Sequence, residues 1–204
     1  MGLISNGTTI FDAGSMAAGL GGSMVFIKKL TASSSATLSF VDGSSDVVLD
    51  NTYKEYMFIF NSIHPQNSVF GFGFNGSIDS GSNYNVTKTT TWFSAYHNEN
   101  GTSGTLEYST SADLAQSTDF QRLTGTVSND NDSAFSGYLR LSNPSSTTFV
   151  KHFMSNVNYG YSTPGTENVR TAGYFNTTSA IDAIQFKMNT GNIDAGTITL
   201  YGIS

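Results

Sequence analysis

The sequence predicts an all-β protein, an antiparallel β-sandwich of jelly-roll-like type preceded by an extended N-terminal arm. Three observations carry this: apolar residues recur with period two from about residue 24 onward, turn residues punctuate the chain every 8–15 residues, and helix signals are almost wholly missing. A chain of 204 residues is one domain of ordinary size, long enough to bury a core.

Residues 1–23 form the expected arm. Gly, Ser, Ala and Met dominate there, and Leu3, Ile4, Ile10, Phe11, Met16 and Leu20 follow no period. Tails that serve only solvent seldom carry so many apolar groups, so these six residues are read as a docking surface. Residues 24–204 form the sandwich. Leu38 and Phe40 flank Ser39, and Tyr56, Phe58 and Phe60 alternate with Met57 and Ile59 in a run apolar on both faces, as in a central strand. Phe70, Phe72 and Phe74 alternate with Gly71 and Gly73, putting rings on one face and bare backbone on the other, where a second sheet or subunit fits closely. Further strands are expected at about 92–97, 104–109, 121–127, 135–141, 148–155, 169–175, 183–189 and 196–202. Between them stand Asp42-Gly43, His64-Pro65, Asn100-Gly101, Asn143-Pro144, Thr163-Pro164-Gly165 and Thr190-Gly191. Ser111–Gln116 allows one Ser-capped helical turn at most.

Composition narrows the function. Net charge is −6 and the nine Lys and Arg residues are dispersed, only Lys28 and Lys29 being adjacent. Without a basic stripe, neither nucleic acid nor an anionic membrane surface is an expected partner. Cysteine is absent, which removes disulfides, thiolate metal sites and a cysteine nucleophile. No apolar run reaches membrane-spanning length, and no basic region precedes Lys28 as a secretory signal requires. Only 12% of residues are charged, about half the usual share, so Ser, Thr, Asn and Gly cover the surface. Such a surface suits fixed packing against other proteins or a saccharide-rich exterior.

No catalytic motif stands out. Gly71–Gly76 satisfies G-x-G-x-x-G but lies in a strand with no helix after it, so it does not cradle a pyrophosphate. His64, His97 and His152 lack metal-ligand spacing, and no cofactor is expected. Among the glutamates, Glu55 and Glu107 are candidates to face inward from strands, while Glu99 and Glu167 read as loop residues. Asp130-Asn131-Asp132 starts like a calcium loop without its glycine and distal glutamate. Tyr159 and Tyr161, in a polar stretch spanning Asn156–Gly165, are read as a long loop able to stack on a sugar or a neighbouring subunit.

Several segments carry a family likeness: Tyr53–Pro65, Leu106-Glu107-Tyr108 leading into Ser111–Phe120, Ser146–Lys151, Ala172–Phe175, Ile181–Met188 and the ending Gly196–Ile203, together with the opening Ile4–Ile10. In these the chain resembles small virion structural proteins of tailed phages that infect marine cyanobacteria and similar hosts. The resemblance implies a virion component and no catalytic residues. The first expectation is a capsid decoration (cement) protein, a homotrimer on the outer surface of the head, bound to the major capsid protein or another virion protein. The alternative is a tail-fibre or receptor-binding tip that recognises host glycan. The third reading is a polysaccharide-acting enzyme.

Overall fold

A computed structural model of the chain describes residues 3–6, 8–12, 15–16, 23–160 and 164–204. The strands run β1 (Leu3–Ser5), β2 (Thr8–Asp12), β3 (Ser15–Met16), β4 (Met24–Thr31), β5 (Leu38–Val41), β6 (Glu55–Pro65), β7 (Val69–Phe70) and β8 (Phe72–Ser77). They continue with β9 (Lys88–Asn98), β10 (Gly104–Tyr108), β11 (Gln121–Arg122), β12 (Thr126–Val127) and β13 (Phe135–Ser142). The last four are β14 (Lys151–Gly160), β15 (Gly165–Phe175), β16 (Ala183–Met188) and β17 (Ile193–Ile203).

Two antiparallel sheets pack face to face. The larger has eight strands in the order β10-β9-β15-β14-β13-β6-β17-β4, the smaller four in the order β11-β8-β16-β5, and β7 pairs with β12 beside them. The protein is therefore an all-β sandwich, with the two sheets unequal in strand number. Alternation builds the core. Tyr56, Phe58 and Phe60 of β6, Leu139 and Leu141 of β13, Phe153 and Val157 of β14, and Ile198 and Leu200 of β17 point inward and are buried. Leu38, Phe40, Phe72, Phe74, Ile184 and Phe186 of the smaller sheet meet them. Phe186 is the hub: its ring lies 5.3 Å from those of Phe58 and Phe60, 5.7 Å from Phe72, and 6.3 Å from Phe40 and Phe74. Edge-to-face and offset contacts of this kind add to the burial of the rings.

Several expectations need correction. The strand foreseen at 121–127 is two short ones, because β11 pairs with β8 and β12 with β7 on either side of Gly71, whose φ of +116° breaks the partner strand. His64-Pro65 closes strand β6 instead of forming a turn, with His64 Nδ1 2.6 Å from the Ser133 carbonyl. Among the described residues of the segment 1–23, β1, β2 and β3 pair with one another in a small antiparallel meander. Ile4 there is 61% exposed, while Leu20 lies outside the described residues.

Candidate functional site

The stretch read as an aromatic loop is mostly strand. β14 runs through Asn156, Tyr159 and Gly160, and β15 starts at Gly165; Tyr161 lies outside the described residues. Tyr159 is 2% exposed and donates its hydroxyl proton to Glu167 Oε2 while accepting from the Gly125 amide at 2.8 Å. It is a core residue and offers no ring to a sugar. Glu167 is likewise a buried strand residue, not a loop one. The asparagines that suggested a loop form hydrogen bonds between strands, Asn158 Nδ2 donating to Thr166 Oγ1 and Asn168 Nδ2 to Asn156 Oδ1.

Glu55 and Glu107, the candidates to face inward, both face outward and lie far apart. Glu55 accepts from Arg140 Nη2 at 2.6 Å on the outer face, and Glu107 is exposed on β10. Five strand spacings separate β6 from β10, about 24 Å at about 4.8 Å each, against the roughly 5–10 Å of glycosidase carboxylates. Among the described residues, no three His, Asp or Glu side chains come together as metal ligands.

Two surfaces do concentrate unusual chemistry. The first is the outer face of the eight-stranded sheet, the side opposite the core. Registered pairs place Phe26, Tyr201, Met57, Arg140 and Met154 in one row across five strands. Lys29, Thr199, Ile59, Tyr138, Asn156, Arg170, Phe93 and Tyr108 form the next, across all eight strands. Phe26 is 58% exposed, Met154 52% and Tyr108 52%, and Tyr138 and Phe93 are also exposed. A strand face turned to water is normally polar. Here exposed aromatic and thioether side chains stand among polar ones, Lys29, Thr199, Asn156 and Arg170 in the same rows, with the Arg140–Glu55 ion pair crossing the face.

The second is a cavity of about 360 Å³ on the far side of the smaller sheet. Gly71 and Gly73 form part of its wall, and the close approach expected at these glycines is real but comes from the chain itself: a Cβ on Gly73 would stand 2.9 Å from the Gln121 carbonyl oxygen, and one on Gly71 2.8 Å from Arg122 Cδ. No second sheet or subunit is needed to occupy that face. The segment 118–122 is pinned by Asn75, whose Nδ2 donates to the carbonyls of Tyr84 and Thr118, both at 2.8 Å. Over it Lys187 Nζ sits 4.1 Å from the Phe120 ring centroid, a close cation–π contact. Arg122, Tyr84, Thr118, Asp119, Met188 and Asn189 complete the lining, and Arg122 Nη2 donates to the Ser111 carbonyl at 2.6 Å.

Behind Asp119 stands a buried lysine. Lys88 is fully inaccessible and donates from Nζ to the carbonyls of Asp119 at 2.5 Å and Val86 at 3.0 Å. Burial lowers its pKa to about 8, with the Asp119 charge opposing the shift. Lys151, the neighbour of Phe175 on the other side, is also buried; it donates to the Thr177 carbonyl at 3.1 Å, and burial lowers its pKa too.

The sequence offered no signal for this cavity beyond its bare glycines, because Tyr84, Phe120 and Lys187 come from three distant segments. Comparison with known proteins gives no family: no protein-family model, no curated protein and no solved structure matches the chain.

Proposed function

We propose that the chain is a structural subunit of a phage virion, a decoration protein that binds the outer surface of the assembled head as a homotrimer and stabilises it without catalysis. The observation that carries this reading is the uncovered outer face of the eight-stranded sheet. Eight strands at about 4.8 Å spacing and about seven residues at about 3.3 Å make a face of roughly 900 Å². A stable protein interface buries about 800 Å² per partner, so one such face is large enough. Its exposed Phe26, Tyr138 and Met154 supply aromatic and thioether groups of the kind enriched at interface cores. Binding only the assembled shell would stabilise it by mass action. The sparse charge and the resemblance to virion proteins support the same assignment.

The test is binding of Phe26→Glu and Tyr138→Glu variants to particles lacking the protein, with copy number measured on native particles. Retained folding with lost binding, at a copy number matching the head lattice, is the expected result. Undiminished binding of both variants would overturn the role given to the sheet face. The second reading, a tail-fibre or receptor-binding tip, is favoured by the cavity that unites Lys187, Phe120 and Tyr84, and a copy number matching a single tail ring or fibre would select it.

A further inference from the structure

The distribution of cations is the starting point. The chain has nine Lys and Arg residues against fifteen Asp and Glu, yet Lys187 and Arg122 line one cavity and Lys88 donates to a carbonyl of its wall residue Asp119. The wall itself therefore brings two cationic side chains against one carboxylate, Asp119, in a chain whose overall balance is acidic. Neither of the ion pairs among the described residues, Lys28–Asp46 and Arg140–Glu55, involves Lys187. Its ammonium rests instead on the Phe120 ring, which leaves its positive charge uncompensated by any carboxylate in contact. An ammonium in that state attracts an anion, because a charge-assisted hydrogen bond is about twice as strong as a neutral one.

Size and lining then limit what the anion is part of. At about 360 Å³ the cavity is at the small end of ligand pockets, room for a single ring. Phe120 and Tyr84 provide apolar surface for the C–H face of such a ring, while Thr118 and Asn189 provide neutral hydrogen-bonding groups at its exposed mouth. One ammonium without a carboxylate in contact, that of Lys187, matches a ligand with one negative charge.

We infer that this cavity binds a hexuronate, a pyranose ring bearing one carboxylate, with the carboxylate at Lys187 and the hydroxyls toward Thr118 and Asn189. The inference stands apart from the placement on head or tail, since it concerns the isolated chain.

The test is titration of the full chain with D-glucuronate, D-glucose and sodium sulfate in separate arms, followed by amide chemical shifts. Saturable shifts with glucuronate at Gly71, Gly73, Lys187 and Asn189, and glucose weaker by about tenfold or more, are expected from the loss of one charge-assisted contact. Lys187→Gln lowers glucuronate affinity by about tenfold, whereas Lys187→Arg retains most of it. Equal binding of glucose and glucuronate overturns the role of the charge. Saturation by sulfate with none by either sugar overturns the sugar class, and no saturable shift with glucuronate overturns the site. The shift map uses the unaltered protein, so it decides even where a variant does not fold.

Discussion

Lys88 ties stability to pH in a direction opposite to ordinary alkaline weakening. In the unfolded chain its pKa is near 10.5, whereas burial in the sandwich holds it at about 8. Between those values the unfolded state binds a proton that the folded state has released, so stability rises with pH, by at most about 1.4 kcal/mol per pH unit. Below pH 8 both states are protonated and the term is constant. Above about pH 10 the buried phenol of Tyr56, whose pKa burial pushes up, acts the other way, since only the unfolded tyrosine ionises freely. The clean window is therefore pH 8 to 10, with a gain of about 2 kcal/mol, reinforced by Lys151, whose pKa is shifted in the same direction. Urea midpoints measured across this window at fixed ionic strength are expected to climb, and Lys88→Met, which keeps Lys151, is expected to climb less than half as much. A flat or falling wild-type curve, or an equal climb in the variant, would refute the buried-ammonium argument.

Three further perturbations follow from particular contacts. Tyr159→Phe strips buried Glu167 and the Gly125 amide of their shared hydroxyl and is expected to cost about 1–3 kcal/mol in denaturant unfolding, with secondary structure retained by circular dichroism. Gly73→Val drives a side chain into the Gln121 carbonyl; the expected loss of about 1–3 kcal/mol by thermal melting comes with an unchanged sedimentation coefficient, because the neighbouring layer belongs to the same chain. Deleting residues 1–22 spares the Ser204 amide bond to the Ser23 carbonyl, so the melting temperature is expected to stay within a few degrees while particle binding falls; undiminished particle binding would remove the docking role from the arm.

How much of this was legible beforehand depends on what kind of signal each part leaves. Period-two alternation exposes a strand wherever one face is buried, which is why the sequence marks strands at Leu38–Phe40 and Tyr56–Phe60, where Leu38, Phe40, Tyr56, Phe58 and Phe60 are buried. The reading failed where polar residues serve as ladder partners. Asn156, Asn158 and Asn168 look like turn formers in sequence, yet they are hydrogen-bonded across β14 and β15, and the misread loop took Tyr159 and Glu167 out of the core with it. Such pairing depends on register between strands, and a single strand's pattern does not contain register.

The cavity was hidden for a related reason. Phe72 and Phe74 announced an inward face, and Gly71 and Gly73 announced that something approaches closely from the other side, but two kinds of neighbour produce the same glycines. The deciding residue is Asn75, fully buried among polar partners; its amide nitrogen gathers the carbonyls of Tyr84 and Thr118, fastening two remote segments over the strand. An apolar residue at position 75 would have no means of holding those carbonyls, which would then lie buried and unpaired. The buried asparagine therefore makes the cover intramolecular, and in doing so it brings Phe120 over the strand that carries Lys187. The bare backbone that first suggested a partner's docking surface is in this fold the wall of a ligand-sized cavity, covered from within the same chain.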